Sequence, residues 1–70
     1  MERIEEGARV RLVRSIKSNG SYLEKNLIGT VVFCFPRGYE ISFDGISKTF
    51  DIDAKYIENY LEASEVIDSQ

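Results

Sequence analysis

The sequence contains no histidine and a single cysteine, and both shortages limit its chemistry. Histidine is the commonest general acid and base near neutral pH and the commonest nitrogen ligand for zinc. A single cysteine forms neither an internal disulfide nor a thiolate metal cluster, and without histidine it lacks its usual activating base. We therefore expect no catalytic residues, no metal site and no cofactor.

Long apolar segments are also missing from the chain. No window approaches the roughly 18 apolar residues that cross a bilayer, and residues 1–6 contain no apolar signal region. With no disulfide partner for the cysteine, these features favour a cytoplasmic protein. We expect one domain over residues 1–70, with a core at about residues 6–62 and a frayed acidic tail at 63–70. So short a chain has little interior from which to form a deep pocket, which argues against an autonomous enzyme.

Three carboxylates near one another in the sequence, Asp44, Asp51 and Asp53, are the closest approach to a metal-binding pattern. Their spacing does not match an EF-hand loop, and turn formation accounts for Asp44 while helix capping accounts for Asp53. The five glycines form neither the dinucleotide fingerprint nor the P-loop. We therefore expect neither a metal ion nor a nucleotide cofactor from these patterns.

The first predicted strand covers residues 8–12, where apolar and charged side chains alternate. Ala8, Val10 and Leu12 should face inward, and Arg9 and Arg11 outward. Residues 13–16 break the phase, which indicates a bulge or the end of the strand. The polar, turn-forming residues that follow predict a long loop over 17–28, with room for one helical turn at 22–28.

The central part of the chain predicts a three-stranded antiparallel meander. Residues 29–35 are β-branched and aromatic, residues 39–43 alternate cleanly, and residues 36–38, Pro-Arg-Gly, suit the turn between them. A third strand over residues 46–52 follows the turn formers Asp44 and Gly45. Residues 53–59 then suit one helical turn with Asp53 as its N-cap, and residues 60–62 a short closing strand.

Five short strands without a long helix predict an all-β protein. A five-stranded SH3-like antiparallel barrel would bury one apolar face of each strand. We expect this barrel to have a long loop after strand 1 and a short helical turn before the last strand.

Several residues extend this expectation to known families. Gly7 before Val10 and Leu12, the run Gly29-Thr30-Val31, the segment "YEISFDG" and the late "IENYLE" resemble small SH3-like barrels of photosynthetic complexes. Those are the photosystem I accessory subunit IV and the variable chain of ferredoxin-thioredoxin reductase; KOW-type barrels are similar more loosely. The resemblance, over roughly residues 6–62, implies a non-catalytic accessory subunit that docks on a larger assembly.

Cys34 is predicted to be a core-side residue and not a reactive one. In a regular strand Phe33 and Phe35 share one face, and Cys34 lies on the other with Val32 as its nearest same-face neighbour. Free cysteines are commonly buried, and apolar surroundings raise the pKa of a thiol. A redox or docking thiol is the minority hypothesis.

Charge is unevenly distributed along the chain. Residues 1–28 hold six basic and four acidic side chains, whereas residues 29–70 hold three basic and eight acidic ones. The arginines of strand 1 therefore suggest a basic face on an acidic protein, although a mixed surface is also what solubility requires. With an aromatic residue in the following loop to stack a base, such a face makes nucleic-acid binding the alternative function.

We expect a protein-interaction module or an accessory or regulatory subunit, whose partner is another protein or complex. Homodimerisation through an exposed edge strand stays open. The predicted contact residues lie on the strand-1 stripe, in the long loop and in the turn at 36–38. They are Arg9, Arg11, Arg14, Lys17, Tyr22, Phe35 and Arg37.

Overall fold

The computed structural model describes residues 4–60, which form seven β-strands and one short 3-10 turn. The elements, in chain order, are β1 (Arg9–Leu12), β2 (Ile16–Ser18), β3 (Ser21–Leu23), β4 (Ile28–Cys34), β5 (Gly38–Phe43), β6 (Thr49–Asp53), the 3-10 turn (Ala54–Tyr56) and β7 (Ile57–Asn59). The all-β prediction is confirmed. No helix within residues 4–60 is long and apolar enough to cross a membrane.

Five strands form one antiparallel sheet in the order β6-β5-β4-β1-β7. The predicted meander is confirmed, because β4, β5 and β6 pair in sequence order, with β4 joined to β5 by the turn at residues 35–38 and β5 joined to β6 by residues 44–48. The backbone N–H of Phe35 donates to the carbonyl of Gly38 at 2.8 Å and closes that turn. Strand β1 pairs with β4 on one side and β7 on the other, so β6 and β7 are the edges of the sheet.

Alternation along the strands builds the hydrophobic core. In β1, Val10 and Leu12 are fully buried while Arg9 and Arg11 lie on the opposite face, as predicted. The other buried hydrophobic side chains in the described part of the chain come from β3 to β7: Leu23, Val31, Ile41, Phe43, Phe50, Ile52 and Ile57. The core is thus shared by the sheet and the hairpin that covers it.

The predicted loop after β1 is wrong, because residues 16–23 form the hairpin β2–β3. Asn19 and Gly20 have φ angles of 54° and 80°, which both central residues of a type I′ turn require. Asn-Gly between short extended segments is the strongest local hairpin signal, and here it decides the structure. Leu23 of this hairpin is buried in the core, so the segment is a packed element.

The short helical turn and its cap agree with the prediction, but the last strand begins earlier. The Asp53 carboxylate accepts a hydrogen bond from the Lys55 N–H at 3.0 Å and caps the 3-10 turn. Strand β7 then begins at Ile57, opposite Leu12, and not at Tyr60. The pairing puts Ile57 into the core, which the predicted seven-residue turn did not allow. The last two residues of the predicted strand and the tail at 63–70 lie outside the described residues.

Candidate interaction surface

A β-bulge in β4 places two consecutive apolar side chains on the surface. Val31 lies opposite Ile41 and Phe33 lies opposite Glu40, so Val32 is an extra residue with no partner on β5. A bulge of this kind breaks the strict in-out alternation of a strand. Val31 is buried, whereas Val32 and Phe33 are 43% and 48% exposed.

Phe35 joins these two residues in an exposed apolar cluster (Val32, Phe33 and Phe35). Its ring meets that of Phe33 edge to face, with 5.0 Å between the ring centroids. Phe35 itself is 39% exposed. Aromatic pairs in this geometry stabilise each other, so the two rings form one continuous apolar surface.

Three open depressions meet at Phe35. The first, of about 520 Å³ and mainly apolar, lies between residues 35–39 and residues 51–53; we call it the turn groove. The second lies between residues 4–6 and the end of β4, and the third between the hairpin tip and residues 49–51. Phe35 lines all three, which makes it the centre of this surface.

Carboxylates dominate the charge around Phe35. The three depressions are lined by five acidic side chains and one basic one: Glu5, Glu6, Glu40, Asp51, Asp53 and Arg37. Glu40 accepts a hydrogen bond from the Thr49 hydroxyl at 2.7 Å, and one oxygen of Asp53 is used in the cap. Asp51 makes no side-chain hydrogen bond or ion pair with any of residues 4–60. The surface is therefore apolar at its centre and acidic at its rim.

The arginines of β1 lie outside this surface and are engaged by carboxylates. Arg9 donates two hydrogen bonds to Asp44, at 2.6 and 3.0 Å, and one to Thr30 at 3.0 Å. Hydrogen bonding from Arg9, assisted by its positive charge, holds the pKa of Asp44 below its usual value. Arg11 is bonded to Glu58, which lies opposite it on β7, and to Asn26.

Arg14, Lys17 and Tyr22 belong to the hairpin region. The Arg14 guanidinium lies 5.9 Å from the centroid of the Tyr56 ring, a cation–π distance, and Arg14 and Lys17 line a separate groove beside residues 51–53. Lys17 faces Tyr22 in the hairpin register, and Tyr22 is 63% exposed. Of the predicted contact residues, the structure thus brings together Phe35 with Arg37, and Lys17 with both Arg14 and Tyr22, but it does not bring all seven together.

Cys34 is half-buried against the core, with its sulfur 3.6 Å from the Ile4 carbonyl oxygen. Its predicted same-face neighbour is wrong, because the bulge turns Val32 outward and leaves Cys34 on the core side. Among residues 4–60, no three acidic or cysteine side chains converge in a way that would hold a metal ion.

The sequence prediction missed Val32 and Phe33, although the sequence holds a signal for them. Residues 31–35 are all apolar, yet an antiparallel sheet in so small a domain has only one buried face. Part of that run must therefore be exposed. Comparisons with protein-family models, with curated proteins and with solved structures find no match to this chain.

Proposed function

We propose that this protein is a non-catalytic interaction module that docks on a larger protein or complex as an accessory or regulatory subunit. The observation that carries the proposal is the exposed apolar cluster of Val32, Phe33 and Phe35. Clustered exposed apolar side chains on a small domain often mark an interaction site. Aromatic residues are also enriched at the centres of protein interfaces.

The rigid position of the cluster supports this proposal. Phe33 is fixed opposite Glu40 in the ladder, and Phe35 closes the turn to Gly38. A segment whose backbone is already fixed loses little backbone entropy when a partner covers it. Bulges frequently occur where a strand must aim a side chain outward, which fits the position of Val32.

The proposal includes an SH3-like barrel as the finer description of the fold. The order β6-β5-β4-β1-β7, with a hairpin after β1 and a 3-10 turn before the last strand, supports it. Leu23 of the hairpin belongs to the same core cluster as the buried side chains of the sheet, which supports a small barrel-like arrangement.

The alternative, nucleic-acid binding through the β1 stripe, has weaker support. Arg9 and Arg11 are bonded to Asp44 and Glu58, so phosphate contacts there would have to displace carboxylates. The acidic rim around Phe35 would repel phosphates as well. Of the predicted basic stripe, Arg14 and Lys17 are the residues that still fit a nucleic-acid surface, since the exposed Tyr22 lies nearby on the hairpin.

A comparison of three immobilised full-length proteins tests the proposal: wild type, Phe35→Ser and Tyr22→Ser. Tyr22 is the matched control because it is a more exposed aromatic residue that lines none of the depressions around Phe35. Quantitative mass spectrometry of proteins captured from cells that make this chain should show a partner retained by wild type and Tyr22→Ser. We expect its recovery to fall at least about tenfold with Phe35→Ser.

Circular dichroism must show that all three proteins are folded. Equal recovery of every captured protein by the three baits would contradict the proposal. Binding of labelled single-stranded DNA at about 50 mM salt that weakens steeply as salt rises, and is lost in Arg14→Ala/Lys17→Ala, would favour the alternative.

A further inference from the structure

We propose that the turn groove takes an extended segment of a partner protein that carries an apolar residue beside alternating basic residues. This inference rests on the proposed function and specifies the chemistry of the partner. The groove lies between Phe35 on the turn and residues 51–53 on β6, and its lining is mainly apolar. A groove with this lining binds a ligand mostly through buried apolar surface.

The charged residues at the groove determine which charge a partner segment should carry. Asp51 and Asp53 lie on the β6 side, and Arg37 lies on the turn side. Glu40, in the adjoining depression, adds a third carboxylate near Asp51. Complementary charge favours a partner segment whose basic groups lie along β6.

The geometry of β6 favours an extended conformation of the partner segment. Asp51 and Asp53 are two residues apart on the same face of a strand, so their positions are separated by roughly 7 Å along it. Basic side chains at alternate positions of an extended peptide have the same spacing. β6 is an edge of the five-stranded sheet, and because hairpin strand β2 approaches it beside residues 51–53, the partner segment would lie on the turn-groove side of β6.

The two carboxylates are available to a partner to different degrees. Asp51 has no side-chain partner within residues 4–60, and Asp53 uses one carboxylate oxygen to cap the 3-10 turn. A basic group can therefore bind Asp51 without breaking an existing contact. Asp51 is accordingly the residue to change, because replacing Asp53 would also remove the cap.

The test uses a phage-displayed library of random dodecapeptides, selected on the full-length protein. We expect enriched peptides to carry lysine or arginine at alternate positions next to an aliphatic or aromatic residue. Synthetic versions should bind the wild-type protein in solution and bind Phe35→Ser much more weakly. Enrichment of acidic or uncharged peptides, or no enrichment, would overturn the inference.

Three charge variants sharpen the test. Asp51→Lys should weaken binding of the selected peptides by roughly tenfold, because one attraction is replaced by a repulsion. Arg37→Glu should strengthen it several-fold, because a repulsion of basic groups is replaced by an attraction. The backbone hydrogen bond that the Arg37 carbonyl accepts from the Ala54 N–H does not involve the altered side chain. Glu24→Lys makes the same charge change as Asp51→Lys at an exposed residue outside the groove and should have no effect. Equal affinities in all variants would refute the assignment of charge.

The possible failures are distinguishable. Peptide binding that depends on Phe35 but not on Asp51 would refute only the basic chemistry and leave the interaction module in place. Loss of the Phe35 dependence in both peptide binding and protein capture would refute the proposed function itself. Dimerisation of the wild-type chain that Asp51→Lys abolishes, measured by light scattering, would make a second copy the occupant and overturn the inference.

Discussion

Deletion of Val32 tests the bulge that creates the exposed surface. Removing a residue from the middle of a strand normally shifts every following side chain to the other face of the sheet. Val32, however, is the extra residue between two correctly paired neighbours. Without it, Val31 stays opposite Ile41, Phe33 stays opposite Glu40, and the ladder becomes regular. We therefore expect the variant to fold with the same core.

The burial of the residues involved sets the expected magnitude. Val32 is 43% exposed, so its deletion removes only part of the buried area that a core valine contributes, and we expect the free energy of unfolding to change by about 1 kcal/mol. Deletion of Ser42 from β5 is the matched control, because Ser42 is paired on both sides. It makes Ile41 and Phe43 adjacent, and one of these two fully buried side chains must then turn outward. Exposing a phenylalanine and leaving its cavity costs about 3–5 kcal/mol.

That cost is a large fraction of the whole stability of a domain of this size, about 4–10 kcal/mol, so the control should unfold at a much lower urea concentration than wild type. Urea denaturation followed by tyrosine fluorescence suits a chain with four tyrosines and no tryptophan. Cross-strand NMR contacts between Val31 and Ile41 should persist when Val32 is deleted. A loss of stability as large as that of the Ser42 deletion would refute the assignment of Val32 as the extra residue.

Four further predictions concern single side chains. Gly38→Ala should lower the free energy of unfolding by about 1–3 kcal/mol, because its Cβ would lie 2.3 Å from the Ile52 carbonyl oxygen; an unchanged urea midpoint would contradict this. Gly20→Ala should cost about 1–2 kcal/mol in the same assay, since its φ of 80° is strained for alanine. Asp44 has a lowered pKa when folded, so it stabilises the fold above its unfolded pKa of about 3.9, and this contribution is lost as the pH falls through the folded pKa. Urea midpoints of Asp44→Asn should therefore fall less than those of wild type on acidification below about pH 4, and parallel curves would count against the Arg9 contact. Cys34 should react with a thiol reagent several-fold faster in urea than in the native state, and equal rates would show that the core does not protect it.

Local pattern predicted the strands because each has a buried and an exposed face. The alternation of Tyr39, Ile41 and Phe43 and the pair Phe50 and Ile52 reappear as β5 and β6. Where composition and turn chemistry indicate different structures, the prediction that relied on composition was wrong. The segment at 17–28 is polar overall, and that outweighed the specific turn chemistry of Asn-Gly at its centre.

The bulge was not accessible to periodicity. An all-apolar run has no alternation to lose, so residues 31–35 fit either phase equally well. Only the pairing with β5 decides which of them is extra, and that pairing depends on Ile41 and Glu40 in another strand. The candidate surface therefore follows from register, a property of two strands together.

The charge of the β1 face likewise depends on strand order and not on β1 alone. Read along the chain, Arg9 and Arg11 form a basic stripe, and nothing in the sequence pattern shows which carboxylates face them. The order β4-β1-β7 places Glu58 directly opposite Arg11, and Asp44, at the end of the neighbouring hairpin, reaches Arg9. Both arginines thereby lose most of their power to attract a distant anion, because paired charges of opposite sign cancel beyond a few ångströms. Within residues 4–60, the turn-groove carboxylates Asp51 and Asp53 face no arginine in the strand ladder, because Glu40 and Gly38 lie opposite them, while Arg14 and Lys17 line a separate groove beside them. Long-range attraction should therefore orient the exposed aromatic rings towards a basic partner.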